Sequence, residues 1–95
     1  ADPEGNALIG DNKAVDIELA MAADLVILTA EEIVPELTRA DIVAPFVDAV
    51  VLAPEGAKPT SCHPLYPLDG KSILAYTEQV SDPATFQLYL ERFLA

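Results

Sequence analysis

Two adjacent glutamates, Glu31 and Glu32, close an apolar run that begins at Leu25-Val26-Ile27-Leu28. A glutamate at the carboxyl end of a buried strand stands where open α/β sheets place their ligands. Neighbouring carboxylates can also raise one another's pKa. Consecutive side chains diverge, so both enter one site only if the turn bends them together. Two readings follow: surface or interface carboxylates, or a supporting polar role in a ligand site. The second candidate is Cys62-His63, in a proline-rich loop. A zinc site needs three or four ligands, and the chain has one Cys and one His, so no metal site is expected. A catalytic Cys–His pair usually joins residues distant in sequence, which leaves these two as loop residues, or His63 as a polar contact to a substrate.

The elements that must hold these residues are legible in outline. Asp11 or Asn12 can cap a helix over residues 13–23, with Ala14, Ile17 and Met21 at helical spacing. Leu25–Leu28, apolar throughout, suits a strand covered on both faces, as in parallel α/β sheets. Pro35 ends the turn at the glutamates, and residues 36–44 form a connection with at most one helical turn. Pro45 then opens a strand, Phe46–Leu52, in which Asp48 hints at an edge. Asn6–Gly10 can form a short strand. Residues 57–70 hold three prolines; an irregular loop of that length is often functional. A helix over residues 71–80 follows, then a second that begins at Pro83 behind the capping pair Ser81-Asp82. Phe86, Tyr89, Leu90, Phe93 and Leu94 line one face of that last helix and require something to pack against.

Composition narrows the function classes. The 95 residues are 52% hydrophobic and carry a net charge of −11, with a mean hydropathy of +0.29. Residues 1–48 hold eleven acids against Lys13 and Arg39. Such a chain repels phosphate, which argues against nucleic acid as a partner. It also places the phosphate-bearing end of any nucleotide cosubstrate elsewhere. So apolar a composition in one small domain predicts either a dense Ala/Val/Leu core or apolar surface that another chain segment covers. A single cysteine excludes an internal disulfide framework and fits a reducing compartment. No apolar run approaches the ~20 residues that span a bilayer, and no basic-then-apolar segment opens the sequence; the expected location is cytoplasmic, off the membrane.

The order Asp2-x-x-Gly5-Asn6-Ala7, AADLVILTAEEIVP (residues 22–35), PFVDAVVLAP (residues 45–54) and Gly56-Ala57-x-Pro59-Thr60 resembles the α-type subunit of family I CoA-transferases, in the glutaconate-CoA-transferase-like branch. At motif level the resemblance covers Asp2 to Asp69 and thins in the last two helices. It implies the three-layer α/β CoA-transferase-like fold, with a mostly parallel sheet and covering helices. Subunits of that family are longer than 95 residues, so residues 1–95 would be the C-terminal portion of one α-subunit domain.

The implied activity is transfer of CoA from an acyl-CoA to a carboxylic acid, with coenzyme A as cosubstrate and no permanently bound cofactor. The implied partners are a β-type subunit together with the remainder of the α-type one. That β-type subunit carries the glutamate that becomes the glutamyl-CoA thioester, within a Ser-Glu-Asn-Gly-like motif. No such motif occurs here, so no catalytic residue is expected in this chain. Its contribution would be scaffold, interface and part of the acyl pocket, with Glu31, Glu32, Lys58, His63 and Tyr66 as candidate substrate-binding residues. Lys58 stands where relatives commonly have histidine and would be a counter-ion for a substrate carboxylate; with His63 and Pro64 it implies an acid other than glutaconate. Tyr66 and Asp69 match a Tyr-x-x-Asp pair of the family. A ring-opening acyl-CoA hydrolase subunit of the same fold and a non-catalytic assembly module are the alternatives.

Overall fold

A computed structural model describes all of residues 1–95. Its elements are α1 (Asp16–Ala22), β1 (Ile27–Ala30), a 3-10 turn (Ala44–Phe46), β2 (Ala49–Leu52), α2 (Gly70–Gln79) and α3 (Pro83–Leu94). They fall into two units, Ala1–Gly56 and Ala57–Ala95. No helix is long and apolar enough to cross a membrane.

In the first unit β1 and β2 pair in parallel, from Ile27 opposite Ala49 to Ala30 opposite Leu52. A parallel pair needs a crossover of a dozen or more residues, which 31–48 supplies without an α-helix. The strand starts later than the apolar run because Val26 is already engaged. Its N–H donates to Asp48 Oδ2 at 2.8 Å, and its carbonyl accepts from the N–H groups of Asp48 and Ala49. Asp48 therefore sits at the entry to β2, closing the ladder, rather than within an edge strand. Pro45 lies inside the 3-10 turn instead of opening the strand, since its fixed φ and missing N–H suit a first helical turn.

Helix α1 also begins late, at Asp16, with Val15 in the capping position and no side-chain cap. Ala14 has φ 44°, which a right-handed helix excludes. Lys13, expected inside the helix, instead reaches Asp41 at 3.0 Å. Residues 6–10 form one antiparallel bridge, Ala7 with Ile42, rather than a strand.

The second unit is a loop followed by two helices. Asp69 caps α2, its Oδ1 accepting from Ser72 N–H at 3.1 Å and its Oδ2 from Ser72 Oγ at 2.7 Å. Asp82 caps α3 through Thr85 N–H at 2.9 Å, with Pro83 at the first helical position as expected. The stripe on α3 is partly used: Tyr76 of α2 meets Phe86 and Tyr89 edge-on, and Tyr89 stacks on Phe93 at 5.9 Å. Leu94, at the end of the stripe, stays exposed.

The core is thin. The buried side chains are Ala7, Ala20, Ala30 and Asp2, while Leu19, Met21, Leu25, Ile27, Leu74, Leu88 and Phe93 are each more than half exposed. The expectation of a β1 covered on both faces is thus not met within these residues: Leu28 and Ala30 turn inward, Ile27 and Thr29 outward. The accessible surface is 7205 Å². Two folded bodies of these lengths with no contact between them would together expose roughly 6,300 Å². The surplus is about what one partner contributes to a standard protein interface.

Candidate functional site

Because β1 and β2 run parallel, their carboxyl ends share one edge. Ala53 N–H continues the ladder by donating to the Ala30 carbonyl at 2.8 Å, and the next residue on each side shapes the rim. Glu31 turns across it: its Oε2 accepts from Glu55 N–H at 2.6 Å. Glu55 can offer that N–H because it sits at φ 59°, in the turn that Gly56 closes by donating to the Ala53 carbonyl at 2.9 Å. A Cβ at Gly56 would lie 2.8 Å from that same carbonyl oxygen, which explains the glycine. A half-buried carboxylate is thereby held at the rim by a charge-assisted hydrogen bond. Glu32 is exposed beside it, and the geometry pairs Glu31 with Glu55, not with Glu32.

The other unit carries Lys58, His63 and Tyr66. The Tyr66 hydroxyl accepts from Ala57 N–H at 3.0 Å, and the Lys58 ammonium lies 5.7 Å from the centre of the Tyr66 ring, within reach of a cation–π contact. Cys62 and Tyr66 bridge antiparallel, so His63, Pro64 and Leu65 form the exposed tip of a tight turn. Thr60 Oγ donates to the Ala57 carbonyl, and Asp69 N–H donates to the Pro59 carbonyl at 2.9 Å. The Tyr-x-x-Asp pair is therefore the frame of the loop, with Tyr66 fastening its start and Asp69 its end. Hydrogen bonding from the Ser72 hydroxyl, then from the Ser72 N–H, holds Asp69 below the usual aspartate range. Tyr66→Phe is expected to loosen residues 57–66 by about 1 kcal/mol, the scale of a hydrogen bond lost at a partly buried donor. Tyr66→Leu should also remove the ring face beneath the Lys58 ammonium. Amide exchange at Ala57 checks the first effect, and the ammonium chemical shift of Lys58 the second.

Sequence reasoning singled out the Glu31–Glu32 pair but missed Glu55, whose backbone rather than side chain is the partner. It also missed the role of Asp2, which is 2% exposed. Asp2 Oδ1 accepts from the N–H groups of Glu4, Gly5 and Asn6 at 3.1, 3.1 and 3.0 Å. Its Oδ2 accepts from Asn6 Nδ2 at 3.0 Å and Leu37 N–H at 3.2 Å. The Asn6 amide leads the donors that hold this carboxyl below its usual range, against the opposing effect of desolvation. An aspartate just ahead of a glycine is the available signal for such a turn. A shallow concavity of about 230 Å³ lined by Pro3, Gly5, Ile33, Val47 and Val50, among others, contains none of the candidate site residues. No group of three or more His, Cys, Asp or Glu is placed to hold a metal ion.

No protein-family model matches the chain. The A-type component of glutaconate CoA-transferase from Acidaminococcus fermentans is 34% identical over 100 residues, taking in 99% of this chain and 31% of that protein. The A-type component of 3-oxoadipate CoA-transferase from Pseudomonas knackmussii is 32% identical over 98 residues, 99% of this chain and 35% of that protein. The chain is a homologue of A-type CoA-transferase subunits. This A-type homologue spans about a third of the length of the relatives it matches. The crystal structure of glutaconate coenzyme A-transferase from Acidaminococcus fermentans matches it with a TM-score of 0.89 and 35% identity, over 97% of this chain and 31% of that one. A variant of the decarboxylase AibA/AibB matches with a TM-score of 0.86 and 39% identity, over 99% of this chain and 35% of that one. The CoA-transferase fold expected from the motifs is the fold observed. The match extends beyond Asp69 through the two C-terminal helices, where the motifs alone had thinned.

Proposed function

We propose that this chain is the C-terminal portion of the A-type component of a heteromeric CoA-transferase, which moves CoA between an acyl-CoA and a carboxylic acid. The observation that carries the proposal is the match of nearly the whole chain to two such A-type components. A glutamate of the B-type partner attacks the acyl-CoA carbonyl and displaces CoA thiolate, giving an acyl–glutamyl anhydride. The thiolate then attacks the glutamyl carbonyl, which releases the first acid and leaves glutamyl-CoA. A second acid reverses the sequence to leave as its CoA ester, with the glutamate regenerated. This chain supplies scaffold, interface and part of the acyl pocket. Glu31, at the carboxyl ends of the strands, is a polar wall of that pocket, with Glu32 beside it. Lys58, held over Tyr66, is the group with the charge to face a substrate carboxylate, and His63 is exposed for a polar contact. Net charge −11 is a poor fit to the phosphates of CoA, so the adenosine end rests on other parts of the assembly. The bare outer face of β1 and the surplus surface support cover by the B-type partner and by the rest of the A-type component. A cytoplasmic location belongs to the same proposal.

A second reading has its own observation: the structure at 39% identity is that of a decarboxylase, so a scaffold of this kind also serves a reaction without an acceptor acid. Product analysis of the assembled protein separates the readings. Transfer consumes an acceptor acid and yields its CoA ester. Ring-opening hydrolysis needs only water, and decarboxylation releases CO2 with the thioester intact. The expected result is a new CoA ester formed only when acceptor acid is present, and none from this chain without its partner. CO2 release without acceptor would overturn the transfer reading.

A further inference from the structure

The crossover that leaves Glu31 and returns at β2 has little secondary structure of its own, yet it is pinned along its length by the first residues of the chain. Val34 N–H donates to the Ala1 carbonyl at 2.9 Å. Leu37 N–H donates to Asp2 Oδ2 at 3.2 Å, and Ala44 N–H to Asn6 Oδ1 at 3.0 Å. Asn6 faces both ways, since its Nδ2 donates to Asp2 while its Oδ1 holds the crossover. Asp2 and Asn6 are thus one clasp, with the most buried side chain of the chain at its centre. A buried carboxylate is tolerated where donors fill its acceptor positions, and five do here.

We propose that Asp2 and Asn6 are positioning residues, which hold the 31–48 crossover so that the Glu31 carboxylate meets the Glu55 N–H at the rim of the sheet. This rests on the proposed acyl pocket for its functional consequence, though not for its geometry. Without the clasp, the Leu37 and Ala44 N–H groups lose their partners, and the chain following Glu31 loses its outer anchor. Glu31 then samples other directions, and the pocket wall loosens.

Asp2→Asn tests this because it keeps the shape of the side chain while setting an amide donor against Leu37 N–H and Asn6 Nδ2. Adding Asn6→Asp restores a donor–acceptor pair of reversed polarity and keeps an oxygen for Ala44. Hydrogen exchange by mass spectrometry on the assembled protein reads both. Asp2→Asn should speed exchange about tenfold in peptides covering 34–45 and in the one containing Glu55, as expected for hydrogen bonds of ordinary strength, with residues 83–94 unchanged. The double variant should recover part of both. Asn6→Ala, which leaves the four backbone donors to Asp2 in place, should act in the same direction if Asp2→Asn fails to fold. Where the assembled protein transfers CoA, Asp2→Asn should raise KM for the acceptor acid about tenfold with kcat nearly unchanged, the signature of lost uniform binding. Unchanged exchange at Glu55, or a faster Glu55 with unaltered KM, overturns the proposal. Absence of transfer in the unaltered protein instead overturns the function reading, and the exchange result still decides the clasp.

Discussion

Gly5→Val is expected to unfold residues 1–56. Gly5 has φ +105°, and a Cβ there would lie 3.1 Å from Val47 Cβ and 3.3 Å from Val47 Cγ1. A residue with a side chain in that backbone region costs about 1–3 kcal/mol, and forcing methyl groups against packed neighbours adds about 1–3 kcal/mol. Set against the roughly 5–15 kcal/mol of a whole domain, a unit with so few buried side chains has little reserve. Gly10 provides the comparison. It too has a positive φ, +98°, but nothing lies within 4 Å of where its Cβ would be. Gly10→Ala should therefore carry the backbone cost alone, about 1–3 kcal/mol. Amide exchange in β1 and β2 is the measurement, because Tyr66, Tyr76 and Tyr89 all lie in residues 57–95 and report only on that unit. A Gly5→Val protein with unaltered exchange at Ile27–Ala30 would contradict the steric argument.

Acid should destabilise both units, and for a specific reason. Asp2, Asp41 and Asp69 are each held below the ordinary value of 3.8. For Asp2 the chief cause is the Asn6 amide, for Asp41 the Ile9 N–H followed by Lys13, and for Asp69 the Ser72 hydroxyl. The unfolded chain binds protons at these groups more readily than the folded one, so stability rises with pH across that range. Their contribution is complete above 3.8 and disappears as the pH falls through the lower folded values. Stability should accordingly be flat with respect to these groups near neutrality and fall in acid. Asp2→Asn should lower stability at neutral pH while flattening the acid dependence of residues 1–56, so that wild type and variant converge as the pH drops. Parallel curves at all pH values would show that the Asp2 carboxylate is not held in the way described.

The legible part of this fold was the part set by local chemistry. Ser81-Asp82-Pro83 marks the start of α3 because an oxygen two or three residues ahead of free N–H groups, followed by a residue without one, satisfies a helix terminus whatever lies around it. The parallel pairing agrees with the reading of the unbroken apolar run at Leu25–Leu28, although the cover on both faces from which that reading argued is not found within these residues. The same order of motifs, from Gly5-Asn6-Ala7 through the Glu31–Glu32 segment to Tyr66 and Asp69, pointed to the A-type CoA-transferase relatives to which the chain is similar.

What the sequence could not decide was anything settled by a contact distant along the chain. Lys13 has good helical propensity, yet its partner Asp41 lies beyond β1, and Ala14 turns to φ 44° just ahead of α1. Val26 looks like strand, yet Asp48 occupies its N–H. Glu31 advertised itself as half of a pair with Glu32, but its hydrogen-bond partner is the backbone of Glu55, and no residue type announces a backbone N–H. Asp2 read only as the opening residue of the Asp-x-x-Gly-Asn-Ala motif and is the most buried side chain of the chain. Residue types determine which groups can cap, pair or pack; only the tertiary structure determines which of those groups meet, because a hydrogen bond across thirty residues depends on the path of the chain between them.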